Sequence, residues 1–171
     1  MRMLPLLLTA TLLGARASQA APAPAKMQRY CNAKYDYCVS VPSSLKPQYA
    51  PPAQDGQVFL SDDMFVQIHV MANLNVFNQT IVESYQAELK RKKLTYHQLL
   101  KDSYVISGMD EGGSIFYQKT VLEGGRFRSL LFLYPPARKA EFDRLIPEVL
   151  KSFVGSQTPA WAGLWKFAEK D

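Results

Sequence analysis

The sequence SIFYQKTVLEGGRFRSLLFLY, residues 114–134, decides the fold class of this protein. Residues 114–122 and 126–134 are rich in the aromatic and β-branched residues that favour strands. Between them lies Glu123-Gly124-Gly125, and glycine readily adopts the positive φ angles that tight hairpin turns require. Pro135 and Pro136 follow, and proline cannot continue a strand ladder. The stretch therefore predicts an antiparallel hairpin.

Five further segments are predicted to be strands: residues 37–41, 57–60, 64–71, 95–99 and 104–109. The second and third of these are separated only by Ser61-Asp62-Asp63, which predicts another hairpin. Val66, Ile68 and Val70 lie on one face of the third strand, because side chains alternate along a strand. Residues 43–56 contain three prolines and Asp55-Gly56, so they predict a long surface loop.

Two segments have the spacing of amphipathic helices. Thr80-Ile81-Val82-Glu83 fits a capping box, in which the two polar side chains satisfy free backbone donors, and the helix should end near Lys93. The second helix is predicted from apolar residues at helical spacing: Phe142, Leu145, Ile146, Val149, Leu150 and Phe153. Pro147 lies inside that stripe and lacks a backbone donor, so we expect the helix to break there.

The predicted order is three strands, a helix, four strands and a final helix. Because hairpins join most of the strands, we expect a mainly antiparallel sheet with helices packed against it, an α+β layer fold. The chain has 171 residues, of which 47% are hydrophobic. With no internal repeat or composition break, it is predicted to form a single domain.

The first residues of the chain are typical of a secretory signal peptide, which we assign to residues 1–20. A cationic Met1-Arg2-Met3 precedes an apolar run, and small residues lead to an expected cleavage site between Ala20 and Ala21. Residues 21–29 then form an Ala/Pro-rich linker. The protein is therefore expected to be periplasmic or secreted.

The charge balance excludes one class of partner. The whole chain has 20 Lys+Arg and 15 Asp+Glu, and removal of Arg2 and Arg16 with the signal peptide leaves a net charge of +3. So small a charge is not typical of a nucleic-acid-binding protein. No later segment is long and apolar enough to be a transmembrane helix.

Cys31 and Cys38 are the two cysteines of the chain. An even number of cysteines in an oxidising compartment favours a disulfide. The pair is not the Cys-x-x-Cys of redox enzymes, and metal binding would need further ligands nearby. The predicted disulfide would join the first segment to the first strand and stabilise the fold by roughly 2–3 kcal/mol.

The sequence contains no motif that assembles a catalytic, metal or phosphate site. His69 and His97 lie in strand patterns without a Gly-x-Ser-x-Gly elbow. Asp62-Asp63 and Asp110-Glu111 lack the spacing of a calcium loop, and no Gly-Lys-Ser/Thr is present to hold a nucleotide. We therefore expect a protein that is not an enzyme and uses neither a cofactor nor a metal.

Two segments are candidates for partner binding. The basic run consists of Lys90, Arg91, Lys92 and Lys93. It could contact an anionic headgroup, a polysaccharide or an acidic partner, but it also suits a solvated helix C-terminus. The tail, residues 154–171, places Trp161, Leu164 and Trp165 on one face of a short helix. This face either packs on the protein's own core or binds a partner. Tryptophan suits both roles, because it buries a large apolar area in a core and is frequent among the residues that dominate interfaces.

Several phrases of the sequence resemble the Mog1/PsbP-like superfamily, in particular its exported bacterial members of unknown function. These phrases are YCNAKY at 30–35, CVSVP at 38–42, DGQVF at 55–59, YVISG at 104–108, IFYQK at 115–119, LYP at 133–135 and KSF at 151–153. The resemblance covers residues 30–153 and implies an α/β/α sandwich. It also implies a non-enzymatic protein that acts through its surface, because the superfamily has no shared catalytic residues.

The leading functional hypothesis is an exported, non-enzymatic protein-binding module of the cell envelope. An immunity protein that inhibits a toxin is its most specific form. One alternative is a periplasmic protein that holds a lipid or another small apolar ligand between sheet and helix. Another is a hydrolase, which would require His69 or His97 to lie within hydrogen-bond reach of a hydroxyl and a carboxylate.

Overall fold

The computed structural model describes residues 25–91 and 93–155. Four predicted features lie outside these residues: the signal peptide, linker residues 21–24, Lys92 of the basic run, and tail residues 156–171 with Trp161, Leu164 and Trp165.

Within the described ranges the chain forms two α-helices and ten strands. The helices are α1 (Ile81–Arg91) and α2 (Lys139–Ser152), and a 3-10 turn at Pro136–Arg138 precedes α2. The strands are β1 (Met27–Asn32), β2 (Tyr37–Pro42), β3 (Lys46–Pro47), β4 (Gly56–Leu60), β5 (Gln67–Leu74), β6 (Leu94–Leu99), β7 (Ser103–Met109), β8 (Ile115–Glu123), β9 (Arg126–Tyr134) and β10 (Val154–Gly155).

The strands form two antiparallel sheets, and the predicted α+β class is confirmed. The large sheet has the order β3-β4-β5-β9-β8-β7-β6, and a small sheet has the order β1-β2-β10. The sequence did not predict the small sheet, which forms because β2 pairs with β1 and with the two residues of β10 and not with a strand of the large sheet. β1 begins inside the assigned linker and β10 lies inside the assigned tail, so the folded body extends beyond residues 30–153 at both ends.

The hairpin predicted from residues 114–134 is confirmed as β8 and β9. Glu123 pairs with Arg126, so Gly124 and Gly125 alone form the turn, with φ angles of +56° and +71°. Positive φ at both central residues is the requirement of the tight turn that suits twisted strands. β8 and β9 lie next to each other inside the large sheet.

The hairpin of β4 and β5 is confirmed, but its turn is longer than predicted. β5 begins at Gln67 rather than at Met64, which has a φ of +60° and belongs to the turn. The Ser61 hydroxyl accepts a 3.0 Å hydrogen bond from the Val66 backbone N–H and closes the turn. Val66, Ile68 and Val70 are fully buried, as their shared face predicts.

Helix α1 lies on one face of the large sheet and begins with the predicted capping box. The Thr80 backbone N–H donates to Glu83 Oε2 at 2.7 Å, and the Glu83 N–H donates to Thr80 Oγ1 at 3.2 Å. These hydrogen bonds hold the pKa of Glu83 below its ordinary value. Ile81 and Tyr85 of α1 pack in a core cluster with Tyr104, Ile106, Phe116 and Phe127 of the sheet.

Helix α2 lies on the opposite face and packs with β2 in a second, larger core. The expected break at Pro147 was wrong, because α2 continues through it to Ser152. Pro147 is exposed, so the missing backbone bond lies on the solvent side of the helix. Phe142 and Val149 stay buried on the inner side, and Phe142 stacks on Tyr134 with ring centroids 4.1 Å apart.

The disulfide between Cys31 and Cys38 is confirmed. The two residues are direct cross-strand partners in the β1–β2 ladder, with Cα atoms 4.1 Å apart. The bond therefore joins the first segment to the first predicted strand. Among the described helices, neither is long and apolar enough to cross a bilayer.

Candidate functional site

A group of exposed apolar side chains lies in and beside the loop between β5 and α1. Phe77 is 83% exposed and Val76 is 68% exposed. Leu74 at the end of β5 and Val82 in the first turn of α1 are exposed as well. We call residues 74–79 the apolar loop. Single exposed apolar residues are ordinary, but a group of them marks an interaction surface.

Hydrogen bonds to Asn75 hold the apolar loop in one conformation. The Asn75 N–H donates to the Gly125 carbonyl at 2.9 Å, which ties the loop to the β8–β9 turn. Its side-chain amide donates to the Gln79 carbonyl at 2.8 Å and accepts from the Gln79 N–H at 2.9 Å. Asn78 adopts a φ of +51° and donates to the Asn75 carbonyl at 3.1 Å. The loop therefore presents Phe77 in a preorganised geometry.

Sequence reasoning missed this loop, although the sequence carried a signal for it. Residues 73–78 read NLNVFN, in which an asparagine stands on each side of Leu74 and on each side of the pair Val76-Phe77. Asparagine favours turns because its side chain bonds to nearby backbone and tolerates positive φ. Apolar residues between such turn formers lie on a surface loop rather than in a core.

A groove on the α1 face of the large sheet is the larger of two described cavities. We call it the α1-side groove, and its volume is about 800 Å³. Its apolar residues are Leu94, Met109, Phe116, Leu131 and Leu133, and its charged residues are Arg91, Lys93, Asp110 and Glu111. It exists because α1 is short and leaves part of β9 uncovered.

The structure brings part of the basic run to the rim of this groove. Lys90 and Arg91 end α1, and Lys93 follows it. All three are exposed, and Arg91 lies 3.7 Å from Glu88 of its own helix. Cations at a helix C-terminus also complement its dipole. A role for the run in partner binding therefore stays a prediction.

A second groove lies on the opposite face, beside α2. This α2-side groove has a volume of about 490 Å³. Ile115, Tyr117 and Tyr134 of the sheet line it, together with Ile146 and Pro147 of α2. Burial raises the pKa values of Tyr117 and Tyr134 above their ordinary value, which is the effect of apolar surroundings on a phenol.

The two histidines lie on the α1 face but make different contacts. His69 Nε2 bonds to Gln67 Oε1 at 2.8 Å, and burial lowers the pKa of His69 below its ordinary value. His97 Nδ1 bonds to the Tyr85 hydroxyl at 2.5 Å. Neither bond joins an imidazole to a carboxylate, the group that orients the base in a hydrolase triad. In the described part of the chain, no three His, Cys, Asp or Glu side chains cluster as metal ligands would.

Comparison with known proteins identifies the fold. The sequence matches no protein-family model, and no curated protein is significantly similar to it. The structure is similar to that of PsbP from Synechocystis sp. PCC 6803, with a TM-score of 0.57 and 14% identity over 83% of this chain and 99% of that one. It is also similar to the Saccharomyces cerevisiae Ran-binding protein Mog1p, with a TM-score of 0.55 and 10% identity over 79% of this chain and 98% of that one. At these identities the similarity shows the architecture alone: this chain has the Mog1/PsbP-like fold.

Proposed function

We propose that this protein is an exported protein-binding module and that the apolar loop is its contact surface. The observation that carries the proposal is Phe77, an 83% exposed side chain on a loop that Asn75 holds in place. Exposed aromatic residues at the centre of an interface commonly supply much of its binding energy.

The energetics favour docking through this loop. Full burial of a Phe side chain stabilises a complex by roughly 1.5–3 kcal/mol. Because hydrogen bonds already order the loop, binding loses little conformational entropy there. Leu74, Val76 and Val82 would extend the apolar contact around Phe77, as the core of an interface requires.

The comparisons and the disulfide support the kind of partner and its compartment. Yeast Mog1p, which has the same fold, is a Ran-binding protein, so this architecture is compatible with binding another protein. The Cys31–Cys38 disulfide favours an oxidising location such as the periplasm or the extracellular medium. An immunity protein of the envelope is the narrower form of the proposal, and it requires the partner to be a toxin that loses activity in the complex.

Site-specific photo-crosslinking tests the contact surface. A benzophenone amino acid replaces Phe77 in one variant and Tyr49, which is 93% exposed and lies in the β3–β4 loop, in a control variant. In intact cells, position 77 should crosslink to one protein in a discrete band, and position 49 should not. Equal crosslinking at the two positions, or none at position 77, would show that the apolar loop is not the contact surface.

The α1-side groove supports a second candidate function, the binding of an amphipathic lipid. Leu131 and Leu133 offer an apolar floor of suitable size, and Arg91 and Lys93 lie where an anionic headgroup could bind. Native mass spectrometry of the protein purified from its host would detect a bound lipid. A Leu131→Glu variant should release it, whereas a protein that carries no lipid would exclude this candidate.

A further inference from the structure

The α2-side groove has the chemistry of a site for large apolar side chains. Its floor is formed by Ile115 and Tyr117 of β8 and by Tyr134 of β9, and one wall by Ile146 and Pro147 of α2. Its volume of about 490 Å³ lies within the range of pockets that enclose drug-sized ligands. α2 packs over β9 and β2, so the β6–β7 side of this sheet face stays open.

The chain leaves the described body on the same side of the large sheet. β10 pairs with β2, and β2 packs with α2 in the core on that face. Pro147 lies about 7.5 Å along the helix axis from Ser152, where α2 ends, at 1.5 Å per residue. Residues 156–160 can span about 17 Å when extended. The tail starts from Gly155 at the end of β10, and residues 156–165 can span about 33 Å when extended, so the segment with both tryptophans is long enough to cross this face of the sheet.

The residues that follow match the groove in chemistry. Trp161, Leu164 and Trp165 recur at helical spacing, and both tryptophans of the protein are among them. Each indole brings 150–250 Å² of surface that gains from burial. Covalent attachment gives the tail an effective local concentration of the order of millimolar, which favours its own groove over an outside partner.

We infer that the tail binds in the α2-side groove of its own chain, with Trp161 and Trp165 packed against Ile115, Tyr117 and Pro147. The tail then completes the α2 face of the sheet, and the apolar loop stays free for a partner. This inference concerns different residues from the proposed function, so the two can fail separately.

Tryptophan fluorescence tests the inference, because every tryptophan signal comes from the tail. The sample is the exported chain from Ala21 onward, and the reference is the isolated peptide of residues 156–171. Emission of the protein should be shifted to the blue of the peptide and should be quenched less by acrylamide. Emission identical to that of the free peptide would overturn the inference.

Two matched variants locate the contact. Tyr96 lines the groove and is 49% exposed, whereas Tyr49 is 93% exposed and lies outside it. Tyr96→Asp should shift the emission to that of the peptide, and Tyr49→Asp should leave it unchanged. A blue shift that survives Tyr96→Asp would place the tail elsewhere and refute the inference.

Two controls keep the result interpretable. Pro147→Asp, a second exposed position in the groove wall, replaces Tyr96→Asp if circular dichroism shows that variant to be unfolded. The blue shift should be independent of protein concentration. A shift that disappears on dilution would mean that the tail of a second copy occupies the groove, which would also refute the inference.

Discussion

Removal of the Cys31–Cys38 disulfide should destabilise the protein by an amount set by its small ring. The bond joins residues seven apart that face each other in the β1–β2 ladder. Since the two cysteines are direct partners in a ladder that backbone hydrogen bonds also hold, we expect the bond to act mainly on the unfolded chain. We therefore expect a loss of stability without a change of fold.

The magnitude follows from loop-closure entropy. Closing a ring of about eight residues lowers the conformational entropy of the unfolded chain by about 8 cal/mol/K, which stabilises the fold by about 2.5 kcal/mol at 25 °C. With a urea m-value of about 1.5–2 kcal/mol/M, the unfolding midpoint should fall by roughly 1.5 M. A double Cys31→Ala, Cys38→Ala variant should lose about 1 kcal/mol more, because Cys38 is buried and its sulfur atom is removed.

Urea unfolding of the oxidised and the reduced wild-type protein measures the effect without a packing change. Equal m-values with midpoints about 1.5 M apart would support the reasoning. A shift below about 0.3 M would refute it, since the bond would then not restrict the unfolded chain. A loss above about 5 kcal/mol would also refute it, because it would mean that the small sheet depends on the bond.

Three further predictions concern the large sheet and the apolar loop. Gly56→Ala would place a Cβ 2.0 Å from the Val70 carbonyl oxygen and should lower the free energy of unfolding, measured by thermal unfolding, by about 1–3 kcal/mol. The control Gly112→Ala, whose Cβ would lie 3.4 Å from its nearest neighbour, should be close to neutral. Burial lowers the pKa of His69 below its ordinary value of 6.5, so the contribution of the neutral imidazole to the free energy of unfolding should be complete above pH 6.5 and fall as the pH drops below it. In urea titrations at several pH values, the free energy of unfolding of His69→Gln should depend less on pH than that of the wild type. Asn75→Ala removes two hydrogen bonds and should cost about 1–2 kcal/mol, accelerate hydrogen exchange in the apolar loop and reduce crosslinking from position 77.

The parts of the fold that the sequence predicted are those fixed by neighbouring residues. The β8–β9 hairpin depends on Gly124-Gly125, and the start of α1 depends on Thr80 and Glu83, which lie three residues apart. Such features need no knowledge of tertiary packing, because the residues that cause them are close in the chain. The same holds for the disulfide, which joins partners of one hairpin.

The parts that the sequence did not predict depend on distant contacts. β10 is a strand only because Val154 meets Cys38 of β2, and two residues carry no periodic pattern. α2 runs through Pro147 because Phe142 and Val149 are anchored in the core on the opposite side. Tertiary packing here outweighs a local preference that sequence reasoning took as decisive.

The candidate site was the least predictable part, for a physical reason. Motif reasoning searches for catalytic and metal-binding chemistry, and it directed attention to the histidines, the basic run and the tail. Phe77 has no such chemistry, and its importance lies in being exposed where an aromatic residue is usually buried. The asparagines of residues 73–78 indicate a surface loop, but the exposure of Phe77 is a property of the folded chain.

The apolar loop and the fold nevertheless depend on one turn. The Gly125 carbonyl, which belongs to the turn that decides the fold class, accepts the hydrogen bond from the Asn75 N–H. A longer β8–β9 turn would move that carbonyl and remove the support from which Asn75 positions Phe77. Leu74 pairs with Arg126, so the register of β5 and β9 places the start of the apolar loop beside the same turn. Residues that set the register of the central strands therefore also set the geometry of the proposed contact surface.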